Sequence, residues 1–227
     1  MITYPNMVPG TFRARPNRFI AHVETESGVQ TVHVKNTGRC RELLIPGATV
    51  YLERGTNPAR KTAYDLIAVE KGERLINMDA QAPNKVFAEW AAAGGFLPDV
   101  TAVRSEYVYG GSRLDFCLET SGGPHLVEVK GVTLEENGTA RFPDAPTERG
   151  VKHILELQRA VQNGLDATLF FVIQMENIDR VSPNDETHPA FGAALRQAAA
   201  QGVRVRAFDC AVTPDSLVIR RPVPVIL

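Results

Sequence analysis

The first third of the chain alternates between apolar and polar positions. FIAHVET and VQTVHVK (Phe19–Thr25 and Val29–Lys35) place apolar residues at every second position, with a Glu-Ser-Gly turn between them. ATVYLER (Ala48–Arg54) follows a Pro-Gly turn, and TAYDLIAVEKG supplies a further alternating run. Short strands at this spacing predict a small barrel or curled sheet. NMDAQAPNK (Asn77–Lys85) reads as a linker, after which the periodicity changes. Val86–Ala93 has a helical pattern, and three strands follow in quick succession. VKHILELQRAVQNG (Val151–Gly164) carries apolar residues at 151, 154, 155, 157 and 161, a helical stripe with Thr147 as its candidate N-cap. ATLFFVIQM (Ala167–Met175) is a continuous apolar run, which predicts a buried strand. FGAALRQAAAQG predicts a helix ending in glycine, and VRVRAFDCAV one more strand. Helices alternating with strands around a mixed sheet give an α/β module after the all-β one.

Two hairpins concentrate charge where strands should be buried. With Gly122-Gly123 as a turn, Phe116 faces Val129 and Leu118 faces Val127, and Leu114 joins them on one apolar face. Asp115 then faces Lys130, Cys117 faces Glu128, and the polar residues share the other face. Asp115 and Glu128 become diagonal neighbours, with Cβ atoms about 7 Å apart. With Gly110-Gly111 as the preceding turn, Glu106 falls opposite Asp115. A hard cation such as Mg2+ takes oxygen ligands, and one or two carboxylates plus substrate phosphate is its usual setting. Such an ion polarises a phosphoryl oxygen. Lys130 is placed to orient the attacking water and to stabilise charge building on the phosphate, rather than to act as a free base. The competing explanation is a solvated polar face, with Lys130 neutralising two surface carboxylates.

Composition narrows the setting. The chain has 227 residues, 44% hydrophobic and 22% charged, which describes a folded globular protein. Cys40, Cys117 and Cys210 lie far apart with no CxxC, so neither a disulfide framework nor a zinc site is expected. The N-terminal residues lack a secretory pattern and no apolar run spans a bilayer, so the expected location is cytoplasmic and no membrane is expected as a partner. Net charge is −1, but residues 1–79 carry eleven Lys and Arg against eight Asp and Glu, and the remainder fourteen against eighteen. The first module is therefore mildly basic and the second acidic.

Basic residues form two further groups. Arg13, Arg15, Arg18, Arg39, Arg41, Arg60 and Lys61 can line a phosphate-binding stripe on the barrel, and Phe12, Phe19, Tyr51 and Tyr64 are available for the core or for stacking on bases. FPDAPTERGVKH brings Arg149, Lys152 and His153 to the start of a helix capped by Thr147, where exposed N–H groups favour anions. The bland alternative for each group is a solvated basic surface. His22, His33, His125 and His188 have no partner spacing and are expected to be structural or surface residues.

Asp115 followed by Glu128-Val129-Lys130 on consecutive strands resembles the PD-(D/E)xK nuclease core, with Leu114-Asp115 in place of Pro-Asp. RPNRF (Arg15–Phe19), NTGR (Asn36–Arg39), SEYVYGGSRLDF (Ser105–Phe116), FPDAPTERGVKH (Phe142–His153) and the closing PVPVIL together resemble the sugar fermentation stimulation protein A (SfsA) family over nearly the whole chain. That resemblance implies an OB-like barrel over residues 1–80 and a nuclease-like α/β domain over 81–227. It implies DNA as partner and a link to sugar metabolism. Nuclease roles carry over to Asp115 and Glu128 as ligands of Mg2+ or Mn2+, with the Val129 carbonyl as a third, and to Lys130 as the water-positioning cation. Glu106 joins the catalytic set by inference from its register. Arg18, Arg39, Arg60, Lys61, Arg149, Lys152 and His153 are the expected DNA contacts. The expected activity is a largely sequence-independent, metal-dependent deoxyribonuclease. The alternative is a non-enzymatic DNA-binding regulator. Oligomeric state is left open, with a homodimer among the options.

Overall fold

A computed structural model describes residues 1–36, 38–57 and 59–227; Thr37, inside the NTGR segment, lies outside the described residues. The chain begins with β1 (Ile2–Thr3), β2 (Met7–Asn17), β3 (Ile20–Thr25), β4 (Gly28–Val34), β5 (Thr49–Arg54), β6 (Tyr64–Lys71) and β7 (Arg74–Asn77). β2 to β7 form one sheet in the order β4-β3-β2-β5-β6-β7, and a parallel pairing of β4 with β6 closes it into a barrel. This is the small barrel that the alternating sequence predicts, in the OB architecture that the resemblance implies. Phe12, Val23, Val32, Val50, Leu52 and Leu66 fill the barrel, each at 1% exposure or less. β2 was not legible as a strand because Pro9 and Pro16 interrupt its pattern. Its pairing with β3 shifts register twice as it curls around the barrel.

The rest continues as α1 (Ala82–Ala92), β8 (Ala102–Tyr109), β9 (Ser112–Thr120), β10 (Gly123–Val132), β11 (Leu134–Glu136), β12 (Thr139–Phe142), α2 (Glu148–Gln162), β13 (Asp166–Ile173), β14 (Arg180–Pro183), α3 (Pro189–Ala200), β15 (Arg204–Thr213) and β16 (Ser216–Pro222). A mixed seven-stranded sheet runs β1-β16-β15-β13-β10-β9-β8, with β13 parallel to both β10 and β15. β1 thus belongs to the second sheet, so residues 2–3 leave the module that precedes them in sequence. A small sheet, β11-β12-β14, was not anticipated, because strands of three or four residues carry too little periodicity. α1 covers one face of the large sheet, where Phe87 packs on Phe116 and Phe170 with ring centroids 5.3 and 4.8 Å apart. α2 and α3 cover the other face.

Three expectations are corrected. Asn77–Lys85 is a joint rather than a linker. Asn77 is 0% and Asp79 1% exposed, and α1 starts at Ala82, with Pro83 in its first turn where its missing N–H costs nothing. The β9–β10 turn is Ser121-Gly122, so Val127 faces Phe116 and His125 faces Leu118. Thr120 and Asp99 fix this turn: Gly122 N–H donates to Thr120 Oγ1 at 3.2 Å and Ser121 N–H to Asp99 Oδ2 at 3.1 Å. A two-residue slip preserves the alternation, so both faces of β10 survive it. Leu114, however, packs in the α2 cluster while Phe116, Leu118, Val127 and Val129 pack under α1. The cause lies at Glu106, whose φ of 53° removes the Glu106–Asp115 pair from the β8–β9 ladder.

The modules share buried polar contacts. Gln174 donates to Asn77 Oδ1 at 2.9 Å and to the Asp79 carbonyl at 3.0 Å, and Lys35 bonds Asp79 at 2.7 Å. Glu135, 3% exposed, holds Lys71 at 3.0 Å and Arg74 at 2.6 Å from the barrel and accepts the Gly138 N–H at 2.7 Å. Cys40, Cys117 and Cys210 are buried free thiols, and burial pushes the Cys40 thiol up to about 12. No helix among the described residues is long and apolar enough to cross a membrane.

Glu135 gives a stability prediction. Burial works to raise its pKa, but the bonds from Gly138, Lys71 and Arg74 outweigh that and hold it below the usual range. Glu135→Ala should cost about 1–2 kcal/mol, at the low end for a buried pair because both cations are 31% exposed to solvent. A depressed folded-state pKa gives stability that is present above the unfolded value, about 4.3, and is lost as pH falls through the folded value. Thermal melts of wild type and Glu135→Ala should therefore differ fully at neutral pH and converge on acidification below that unfolded value. A difference that stays constant through the acid range would remove the charge contribution.

Candidate functional site

Asp115 stands where β9 and β10 part. Their ladder ends at the Val127–Phe116 pair, and beyond it side chains replace main-chain partners. Val129 N–H donates to Asp115 Oδ2 at 2.8 Å, and Asp115 N–H donates to Glu128 Oε2 at 3.3 Å. The two carboxylates therefore lock the two strands reciprocally. Asn84, in the first turn of α1, donates to Asp115 Oδ1 at 2.9 Å.

Glu128 is 1% exposed and in the interior of the sheet, next to Leu169 of β13. A carboxylate there must be neutralised or paired. Lys130 Nζ and His153 Nδ1 both bond its Oε1, His153 reaching in from α2. Burial would raise the pKa of Glu128, but these bonds outweigh it and hold the group ionised below its ordinary range. Asp115 moves the other way. Burial and the neighbouring Glu128 charge raise it, against opposition from Lys130, the Val129 N–H and Asn84. Two carboxylates with opposed shifts are a pattern of catalytic centres, and of buried ion networks as well.

The expected site residues separate into those that meet and those that do not. Asp115, Glu128, Lys130 and the Val129 main chain converge as described. Glu106 lies across from Asp115, and both line a surface cleft of about 410 Å³ with Asn84 and Lys85. Its side chain is 72% exposed and 3.4 Å from Arg113, so it stands at the rim. His153 corrects the reading of α2: it is 5% exposed and turned to Glu128, not outward. The buried stripe of α2 is rotated from the one the sequence suggests, with His153 and Glu156 inside and Leu155 40% exposed. Arg149 is exposed and donates to His153 Nε2 at 3.3 Å, and Lys152 donates to the Gly111 carbonyl at 2.7 Å, clamping the β8–β9 turn. Thr147 caps the helix as expected, its Oγ1 accepting the Gly150 N–H at 3.0 Å.

On the barrel, Arg18, Arg39 and Arg41 are exposed around a cleft of about 330 Å³. Among the described residues none of the three has an ion-pair partner. Arg15 is the organiser of that cleft, donating to the carbonyls of Gly38, Arg39, Arg18 and Asn36 at 2.8 to 3.1 Å. Phe12 is core, whereas Phe19 beside Arg18 is 51% exposed. Arg60 does not line this cleft. It is bonded to buried Asp65, which also holds His33 at 3.0 Å, so the half-buried guanidinium is committed to that carboxylate. Lys61 is exposed.

Asn84 and the Glu128-facing role of His153 were missed. Asn84 sat in the supposed linker, where no pattern marks it. His153 had a signal: it adjoins Ile154 on the face that Gly150 and Leu157 also occupy, so a buried partner could have been sought.

Among the described residues no group of three or more His, Cys, Asp and Glu side chains gathers as a metal cage. The donors at hand are the oxygens of Asp115 and Glu128, which suit a hard cation completed by water or phosphate.

The sugar fermentation stimulation protein RE domain model matches residues 81–216, and the SfsA N-terminal OB domain model matches residues 14–78. A sugar fermentation stimulation protein homolog from Clostridium beijerinckii is 53% identical over 224 residues, 99% of each chain. One from Desulfitobacterium hafniense is 56% identical over 214 residues, covering 94% of this chain and 93% of its own. The solved structure of Pyrococcus furiosus SfsA in complex with Ca2+ aligns at a TM-score of 0.89 and 28% identity, covering 100% of this chain and 98% of that one. With both modules matched in order and relatives aligned end to end, the chain belongs to the sugar fermentation stimulation protein (SfsA) family.

Proposed function

We propose that this protein binds DNA through the basic cleft of its barrel and hydrolyses a phosphodiester at Asp115, Glu128 and Lys130 with Mg2+ or Mn2+. The observation that carries the reading is the convergence of Lys130 and His153 on one buried Glu128, whose neighbour is a second carboxylate. The strand-locking bonds from the two N–H groups account for the paired acids but not for a lysine and a histidine brought to the same oxygen beside them. Asp115 and Glu128 would hold the cation, which supplies charge to polarise the phosphoryl oxygen. That P. furiosus SfsA was solved with Ca2+ supports a hard-cation site in the family.

The chain's own residues do the rest. Lys130, 16% exposed, puts its ammonium beside the carboxylates, where it stabilises charge on a phosphate and orients a water. His153 and Asn84 hold the two carboxylates in place. Arg18, Arg39, Arg41 and Lys61 of the barrel, with Arg149 and Lys152 of α2, bind phosphates without reading sequence.

One observation favours a second reading. All four carboxylate oxygens already accept hydrogen bonds from the protein. A DNA-binding regulator with an unused centre would look the same, and activity decides.

Two measurements follow. His153→Ala should weaken Mn2+ binding about 10- to 100-fold by calorimetry, because ligands lose affinity when their outer partners go. His153→Asn, which restores a donor near Nδ1, should recover part of it. Equal affinity in wild type and His153→Ala would make the His153 bond purely structural.

Lys130→Ala should lower Mg2+- or Mn2+-dependent cleavage at least about 100-fold, the scale of losing one aligned charge or donor. DNA affinity should change little, since the arginines of the barrel supply most of the phosphate binding. Wild-type protein that binds DNA but cleaves no DNA form with Mg2+ or Mn2+, relative to EDTA, overturns the nuclease reading in favour of the regulator.

A further inference from the structure

Three depressions adjoin one another across the two modules. The cleft at Asp115 and Glu106 includes Ala80 in its wall, and Ala80 also lines a smaller cavity of about 120 Å³ at the joint between barrel and α/β domain. That cavity is bounded by Asn36, Thr133, Arg141, Phe142, Asp144 and Gln174, with Gly131 next to Lys130. Its far wall is Asp144, whose Oδ2 accepts the Arg39 N–H at 3.1 Å and lies against Gly38. Gly38 and Arg39 line the basic cleft of the barrel. The close approaches are built in. A Cβ at Gly131 would meet Gln174 Oε1 and Pro83 at 2.6 Å, and one at Gly38 would overlap Asp144.

The chemistry of the cavity differs from that of the cleft. Among the described residues the cleft offers three guanidinium groups without an ion-pair partner, which suits phosphate. The cavity presents the Asp144 carboxylate, which repels phosphate but accepts from an exocyclic amino group. Gln174 offers its Oε1, its Nε2 donating to Asn77 and Asp79, Asn36 offers its amide N–H groups, its Oδ1 accepting the Gly38 N–H, and Phe142 contributes an aromatic ring. Arg141 Nε lies 3.2 Å from Glu136 Oε2 in a geometry that leaves its N–H without an acceptor. Aromatic surface plus mixed donors and acceptors is the equipment for holding one base. About 120 Å³ is roughly four waters' worth of liquid. That admits a single heterocycle and not a base pair.

We propose that these depressions form one track for single-stranded DNA, with phosphates in the Arg18–Arg39–Arg41 cleft and one unstacked base in the junction cavity, beside the phosphate that meets Asp115. The inference rests on the nuclease reading for the chemistry at the track's end, and its test does not.

Binding is measured in EDTA by fluorescence anisotropy on a short single strand, on the duplex of the same sequence, and on a strand of the same length with abasic sugars throughout. Wild-type protein should prefer the single strand to the duplex by about tenfold, about the stacking energy of one base. Arg141→Ala should weaken the base-bearing strand by a similar factor and leave the abasic strand unchanged. Arg141→Lys, which keeps the charge beside Glu136 and loses the planar fork, should behave like Arg141→Ala and covers the case in which the alanine variant does not fold. Arg18→Ala with Arg39→Ala should weaken both strands alike and flatten the salt slope by about 0.7 for each phosphate released from the cleft. Duplex bound as tightly as single strand, or no binding to either, overturns the proposal. So does an Arg141 effect that is absent or equal on the abasic strand. A protein that binds as described yet never cleaves loses the nuclease reading and keeps the track. One that cleaves but prefers duplex loses the track and keeps the nuclease.

Discussion

A carboxylate with 1% of its surface exposed, in the interior of a seven-stranded sheet, sets the terms for much of this molecule. Lys130 and His153 both reach the Oε1 of Glu128, and together they outweigh burial and hold it ionised there. His153 reaches it only if α2 packs at one depth and rotation against the sheet. That placement is fixed by the Thr147 cap, the bond from Lys152 to the Gly111 carbonyl, and the packing of Ile154 and Leu157 in the core. Asp115 is tied to the same group through its own N–H. The cost of burying one charge is thus met by elements distant in sequence, and the geometry of the centre is the result.

The second constraint is the joint. Asn77, Asp79 and Gln174 are each 1% exposed or less and exchange hydrogen bonds across the module boundary. Tyr4, beside β1, adds a bond from Asn77 at 3.1 Å. Polar groups buried this deeply carry a penalty when unpaired, so the joint resists opening. The barrel cleft and the carboxylates therefore keep a fixed distance and orientation, unlike modules on a free tether.

The sequence made some of this legible and hid the rest for physical reasons. Periodicity marked the barrel strands, α2 and α3, because each buries one face, and β13 stood out as a continuous apolar run because it is buried on both. The β9–β10 turn lies one residue earlier than expected, which slips the pairing by two without harm to the assignment of Asp115 and Glu128 to one centre, since period-two alternation is blind to an even slip. Leu114 went to the wrong face because nothing in the sequence marks Glu106 as left-handed. His153 looked like a surface cation, because a histidine after Arg149 and Lys152 reads as part of a basic run until the rotation of α2 is known. Arg60 looked free because its partner, Asp65, sits in a strand whose apolar neighbours gave it no prominence.

Charge is divided between the modules in a way that a net value of −1 conceals. The centre brings Asp115 and Glu128 together with Lys130, and Glu106 stands at its rim. Arg18, Arg39 and Arg41 line the barrel cleft, whose Arg39 N–H reaches Asp144, and on the proposed reading they attract the strand that the centre acts on. Local potentials, rather than net charge, govern such an encounter. Binding strength gathered at the arginines can then hold a phosphate against carboxylates that would otherwise reject it, which is how remote contacts are turned toward a transition state. A cation at Asp115 and Glu128 would remove the remaining repulsion. On the proposed reading the rigid joint is therefore part of the chemistry: a flexible one would let the strand bind to the barrel and leave the centre empty.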